Sequence, residues 1–240
     1  MFRHRGKSRT NVHNLKLASL LSFVAGMVNV SGLLAVHKLT TNVTGHFAYF
    51  ADEMSKKNFT EAWLNLLLIV AFFVGAFCSG FLVELTGRYQ AMLMNVAPVG
   101  IEIILLTCVA FLNPTMLQLH GEAIACLLLF AMGIQNALVT SISNAIVRTT
   151  HLTGLFTDLG IELAQLFFYK QNDQQQKLRS SIRLRFTIIF FFFFGGIVGG
   201  VGYFIWGIKV LLVAVATLIV ALIFDSVRFT FIRLKRKYVG

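Results

Sequence analysis

The sequence predicts an all-α fold, a polytopic transmembrane helical bundle, and three observations predict it. Hydrophobic residues make up 57% of the 240 positions, charged residues only 13%, and 24 residues are phenylalanine. The mean hydropathy is +0.76, so the polar groups available could not cover a water-soluble surface. The apolar residues also fall in runs of about 20, the length at which a helix crosses the hydrocarbon core of a bilayer.

The formal net charge of +11 is unevenly placed, with fifteen of the 21 basic residues in three patches, 1–16, 170–185 and 226–240. Clustering of this kind reads as cytoplasmic flanks under the positive-inside rule, with both termini on that side. The expected partners are therefore the lipid bilayer, with anionic lipid at the basic flanks, and no nucleic acid. Cys78, Cys108 and Cys126 lie inside apolar runs without paired spacing, which implies packing and neither a disulfide framework nor a metal site. No cofactor is implied. The first apolar run begins near Leu15, is too long for a signal-peptide core and has no small-residue cleavage site after it, so no cleavable signal is expected.

In chain order, residues 1–14 form a basic tail and the first span runs from about Leu15 to Val36, with Gly26, Asn29, Ser31 and Gly32 in its second half. Small and polar residues there mark tight helix packing or a break. A short segment, about 41–54, follows. About 14 residues at 1.5 Å each cover only ~21 Å, short for a core of ~30 Å, so this piece reads as a half-helix or re-entrant segment. Long spans then cover about Trp63–Leu85 and Gln90–Leu112, separated by a tight turn at Thr86–Tyr89, and Asn113-Pro114 closes the first half. The second half opens with a span from about Gly121 to Ile142, then a second short segment, a polar loop over 170–185, a glycine-bearing span and a final span with a basic tail.

The two halves, 15–112 and 113–240, carry the same landmarks. At an offset of 109, Thr40, Thr41, Thr44, Gly45, Phe47 and Glu53 fall on Thr149, Thr150, Thr153, Gly154, Phe156 and Glu162. Gly26 and Asn29 stand over Gly133 and Asn136, and Phe72, Phe73, Gly75 and Gly80 over Phe192, Phe193, Gly195 and Gly200. If the short segments cross the membrane, the halves are parallel four-span repeats. If they are re-entrant, there are six long spans plus two short discontinuous helices, and the repeat is inverted. The shortness of 41–54 favours the inverted arrangement.

These motifs resemble the YoaK-like family of bacterial membrane proteins of unknown function. The resemblance covers about residues 15–230 and rests on Thr41, Thr44 and Gly45; on Met132, Gly133, Gln135, Asn136 and Ala137; and on Arg148 through His151 with Thr153, Gly154, Thr157 and Asp158. It implies a protein of the bacterial cytoplasmic (inner) membrane and supplies no substrate. Two departures stand out. His46 follows Gly45 where such proteins typically continue T-G-N, and Asn29 stands where the first span usually carries an aspartate, so an ionisable role is not carried over to that position.

At helical spacing Thr150, Gly154, Asp158 and Glu162 form one i, i+4 row, and Thr41, Gly45, Tyr49 and Glu53 form the matching one. Hydroxyls and bare backbone at one end of such a row, with a carboxylate two turns on, suit a small polar or charged solute. Half-helix ends would supply unpaired backbone groups near the midplane. The candidate solute-binding residues are Thr41, Thr44, Gly45, Asn136, Thr150, Thr153, Gly154, Asp158 and Glu162. Glu53, Glu102, Asp158 and Glu162 are the candidates for proton or ion coupling, because ionisable groups at membrane depth are costly.

Plainer readings stand beside these. T-x-x-T-G also lets two helices approach closely; Glu102 reads equally as a neutral acid bonded to another helix; Gln135 and Asn136 read as interhelical glue. His151 beside Arg148 is either an anion-attracting mouth or a marker of the membrane surface. Asp225 and Arg228 read as a local ion pair. No H-E-x-x-H, G-x-S-x-G, phosphate-binding loop or cysteine-histidine cluster is present, so no enzyme is expected. The expected function is a small secondary transporter or permease with its site between the two T-x-x-T-G segments. A gated channel, or a non-transporting membrane partner or lipid-interacting protein, is the alternative, and a homo-oligomer is compatible with either.

Overall fold

The computed structural model describes residues 10–89 and 94–224, and among these residues it contains helices and turns but no strand. The helices are α1 (Asn11–Val36), α2 (Val43–Ser55), α3 (Phe59–Tyr89), α4 (Val96–Ala110), α5 (Pro114–Leu119), α6 (Gly121–Ser143), α7 (Leu152–Phe168) and α8 (Asn172–Trp206). A 3-10 turn, Gly207–Val210, leads into α9 over 211–224. Among the described residues four stretches are long and apolar enough to cross a membrane, Asn11–Val36, Phe59–Arg88, Gly121–Ser143 and Asn172–Phe224, and Val96–Ala110 is a shorter apolar helix.

Local chemistry sets the ends that matter. α1 stops at His37, which takes a left-handed cap conformation (φ 54°) and donates its backbone N–H to the Leu33 carbonyl. α6 stops at Asn144, also left-handed (φ 53°). Val36 and Ser143, the last residues of these helices, stand at the same offset of 107 as Gly26 and Gly133. Asn113 accepts the Met116 N–H at 2.8 Å and Pro114 opens α5, so the Asn-Pro pair marks a helix start as well as a connection.

Three contacts fix the relative direction of α1 and α8. Asn11 bonds Ser180 at 2.8 Å, a side chain at Gly195 would strike the Phe23 carbonyl, and one at Gly199 would lie 2.8 Å from the Met27 carbonyl oxygen. Residue numbers rise together, so the two helices are parallel. Against α6 the order reverses: Gln135 donates to the Leu21 carbonyl, Leu128 lies against Gly32, and Gly121 lies beside Val36. α1 and α6 are therefore antiparallel. α3 starts where α1 ends, with Glu61 3.7 Å from Lys38, and meets α6 midway, so it runs parallel to α6.

Close backbone contact holds these pairs. A Cβ at Gly26 would collide with the Phe192 carbonyl, and one at Gly195 with the Phe23 carbonyl; at Gly133 the obstacle is the Phe72 carbonyl, and at Gly75 that of Phe130. Each helix lays its glycine on the backbone of its neighbour. α1 and α6 carry most of the fully buried side chains, including Leu17, Leu21, Met27, Leu128, Met132 and Leu138. α3 and α8 turn Phe73, Phe77, Phe81, Phe190, Phe193 and Phe204 outward.

α2 and α7 are half-length pieces packed as hairpins on the helices that follow them. Thr40, just before α2, donates its hydroxyl to the carbonyl of Val28, in the body of α1, so α2 starts inside the bundle and runs toward the end where α1 stops. α7 runs the other way along α8, Glu162 meeting Ser181 and Asp158 meeting Arg185. Both helices begin deep in the bundle and leave it in opposite directions.

Several boundaries differ from expectation. The turn read at 86–89 is helix, since α3 continues to Tyr89. The loop read at 170–185 is helical from Asn172, because glutamine, lysine, arginine and leucine are good helix formers and a polar helix can project beyond the apolar layer. Thr41 and Thr150 sit just before α2 and α7, so the i, i+4 rows begin off the helix. The Asp225–Arg228 pair, the tail 226–240 and most of 1–14 lie outside the described residues.

If close backbone approach holds the bundle, adding a methyl must hurt only where a carbonyl stands opposite. Gly133→Ala and Gly195→Ala should each destabilise by about 1–3 kcal/mol through overpacking. Gly80→Ala, with nothing within 4 Å of the added carbon, should be neutral or slightly stabilising. Thermal unfolding in detergent ranks the three, and equal midpoints for all of them would overturn the packing account.

Candidate functional site

The lead-in to each half-helix, 37–42 before α2 and 144–151 before α7, ends in the same construction. Asn42 is the N-cap of α2, its side-chain oxygen accepting the Gly45 N–H at 3.0 Å. His151 is the N-cap of α7 and makes no side-chain cap bond. At both ends the glycine makes room for the cap residue. A Cβ at Gly45 would lie 3.1 Å from the Asn42 amide, and one at Gly154 2.6 Å from the His151 ring. The glycine of T-x-x-T-G is thus the position over which the side chain of the N-cap residue lies, bonded to it at Asn42 and only in contact at His151.

Between the two lead-ins lies a cavity of about 970 Å³. Its wall takes matched residues from the two halves: Asn29 and Asn136, Thr41 and Thr150, Thr44 and Thr153, Phe72 and Phe192, with the caps Asn42 and His151. Gly45, Thr140 and Arg148 complete its polar side. A second cavity of about 550 Å³ adjoins it, sharing Arg148 and His151 and adding Gly154, Asp158, Ser181 and Arg185. Of the nine candidate solute-binding residues, Thr41, Thr44, Gly45, Asn136, Thr150 and Thr153 line the first cavity, and Gly154 and Asp158 line the second.

The remaining candidate carboxylates, Glu53, Glu102 and Glu162, line neither cavity. Glu162 lines neither cavity; it accepts from Ser181 at 2.7 Å and from Arg185 Nε at 2.9 Å. Arg185 also reaches Asp158 at 2.9 Å, so one guanidinium serves both acids. Glu53, at the matching position, accepts from Asn58 at 2.7 Å and pairs with Lys56 at 3.3 Å. Both glutamates lie more than two turns beyond the glycine, about 12 Å along the helix, where each pins its hairpin closed. Glu102 is fully buried in α4, has no hydrogen-bond partner among the described residues, and lines neither cavity.

His46 explains one departure from the family motif. Its ring is buried between the Leu39 carbonyl (2.8 Å) and the Asn65 side chain (3.3 Å), tying α2 to α3. Asn29, Asn42, Thr140, Phe72 and Phe192 also line the cavity and are not among the candidates read from the sequence. The signal that could have found some of them is the repeat alignment, in which Asn29 and Asn136, and Phe72 and Phe192, occupy matched positions.

The two lead-ins also differ in where they are anchored. The first is docked on its span: Asn29 Oδ1 accepts from the Thr41 hydroxyl at 2.9 Å and from the Thr40 N–H at 3.3 Å, while Thr40 bonds Val28. The second is held at another point, Val147 donating its N–H to Ser143 Oγ at 3.0 Å and accepting from that hydroxyl at 3.3 Å, while atoms matching the first docking site are unpaired. Asn136 Oδ1 and the hydroxyl of the fully buried Thr149 have no hydrogen-bond partner among the described residues. Asn29→Ala should therefore cost about 1–3 kcal/mol by stranding two donors, and Asn136→Ala less than about 0.5 kcal/mol. Midpoints of thermal unfolding in detergent test the contrast, and a larger loss for the Asn136 variant would contradict the docking asymmetry.

No solved structure matches the chain. It is 27% identical over 187 residues to the UPF0700 transmembrane protein YoaK of Bacillus subtilis (strain 168), an alignment covering 76% of this chain and 80% of that protein. Residues 17–224 match the family described as protein of unknown function (DUF1275). With its apolar helices and a transmembrane relative, this is a membrane protein, and it belongs to the DUF1275 family.

Proposed function

We propose that the protein is a small secondary transporter or permease, built as an inverted duplication, whose solute site is the cavity between the two half-helices. In this reading α1, α3 and α4 are the spans of the first half and α6, α8 and α9 those of the second, with α2 and α7 re-entrant. Two sets of contacts support the inversion. The halves exchange partners reciprocally, Gly26 meeting Phe192 as its match Gly133 meets Phe72, and α1 runs antiparallel to its counterpart α6. Discontinuous helices starting at the repeat interface are the arrangement in which many transporters hold their solute.

Orientation follows from charge. The N-terminal end of α1 and the basic start of α8, with Lys177, Arg179, Arg183 and Arg185, share one end of the bundle. The positive-inside rule assigns that end to the cytoplasm, where these residues would also meet anionic lipid headgroups. The second cavity then faces the cytoplasm and the docked lead-in faces outward.

The observation that carries the reading is the pairing of matched residues around one cavity, with the bonds that Asn29 makes to the first lead-in absent at Asn136 beside the second. A carrier needs two such segments that dock in turn, whereas a pore needs both open together. The test is access. Thr150→Cys and Thr41→Cys, each in a chain freed of Cys78, Cys108 and Cys126, are reconstituted and exposed to a membrane-impermeant maleimide. Thr150→Cys should label from the cytoplasmic face and Thr41→Cys should resist labelling from outside. Rapid labelling of both positions from both faces would point to a continuous pore and sink the carrier reading.

A further inference from the structure

We infer that the transported solute is a small anion, an oxyanion or carboxylate, held by Arg148 between the starts of α2 and α7; this inference rests on the cavity being the solute site. The cavity's polar wall consists of hydroxyls, amides, Arg148 and His151, and among the described residues no aspartate or glutamate lines it. A cation would find no counter-charge there, and a neutral solute would make no use of the arginine's charge.

The neighbouring acids do not neutralise Arg148. Among the described residues Asp158 is the only carboxylate lining the adjoining cavity, and it is engaged by Arg185, which also holds Glu162. Arg148 is exposed into the space shared by both cavities and has no ion-pair partner among the described residues. Arg185 therefore does more than pin a hairpin. By taking both acids of α7, it leaves the positive charge at the cavity uncompensated.

The backbone adds to the same sign. α2 and α7, of 13 and 17 residues, begin at the cavity wall, and the first N–H groups of a helix have no acceptor within it. Asn42 satisfies one of these donors at α2, the Gly45 N–H, while the α7 end has no side-chain cap. Two N-terminal ends, an arginine with a planar fork of donors and the hydroxyls of Thr44, Thr150 and Thr153 offer donors from several directions to one acceptor-rich group.

The experiment uses the full chain purified in detergent, with thermal stability measured at constant ionic strength in sodium phosphate, sulfate, acetate or succinate against a chloride reference. Rubidium chloride, methylammonium chloride and glycerol serve as cationic and neutral probes. At least one of the four anions should raise the midpoint saturably, with apparent affinity falling at least about tenfold in Arg148→Gln. It should stay within about threefold of wild type in Arg183→Gln, an exposed arginine lining neither cavity. Arg148→Lys, which keeps the charge without the fork, should retain part of the binding and replaces Arg148→Gln if that variant does not fold. Sulfate and phosphate also stabilise proteins by surface exclusion, so a rise that is unsaturable or equal in wild type and Arg148→Gln overturns the proposal. So does saturable stabilisation by a cation or by glycerol alone. Exchange of the same radiolabelled solutes across proteoliposomes separates the two claims. Arg148-dependent anion binding without exchange removes the transporter and leaves the anion site, whereas exchange of rubidium or methylammonium without anion binding does the reverse.

Discussion

Helix backbones in this protein touch. At Gly26, Gly75, Gly133 and Gly195 the missing side chain lets a helix rest directly on a carbonyl of its neighbour, and the rest of the bundle is arranged around those contacts. Within a bilayer, apolar side chains gain little by leaving lipid for protein, so association depends on close packing and on polar contacts that tight approach permits. The glycines stand on α1, α3, α6 and α8, the helices that bring both half-helices to one place. A looser pairing would move the starts of α2 and α7 apart and dissolve the cavity between them.

That arrangement leaves a polar space amid apolar helices, and the chain accommodates it with few groups. Irregular backbone inside a membrane protein is tolerated where it lines a cavity or finds partners within the protein. Here the segment 37–42 is anchored by Asn29 and Val28, while beside 144–151 a buried hydroxyl and a buried amide oxygen stay unpaired among the described residues. Stable hairpins outside the cavity hold both segments in position. Glu53 and Glu162 fasten those hairpins through Asn58, Ser181 and Arg185, which is why conspicuous carboxylates at matched positions lie away from the cavity.

Much of this is legible from residues alone, and the misses have physical causes. Doubled T-x-x-T-G segments, doubled asparagines and doubled glycine stretches are local patterns, and members of each line the cavity or sit at the close backbone contacts. Partnership across helices is not local. Nothing in the spacing of Glu162 says that Arg185 will curl back to it, because the intervening stretch is polar enough to pass for a loop and is helical from Asn172. Nor does the sequence distinguish Asn29, whose oxygen is occupied, from Asn136, whose oxygen has no partner among the described residues; that difference lies in how the following backbone folds. His46 shows the limit from the other side. It interrupts a family motif, yet its ring faces Leu39 and Asn65 and leaves the cavity untouched.

The unequal anchoring of the two half-helix starts has an energetic consequence. Three hydrogen bonds hold the first against the middle of its span, whereas the second is held at the end of its span, through Ser143 and Val147. At about 0.5–1.5 kcal/mol net for each bond, lifting the first lead-in off Val28 and Asn29 would cost several kcal/mol. An occupant of the cavity that displaced this lead-in would have to supply that energy from its own contacts, so the first half-helix start is the stiffer wall against anything that enters.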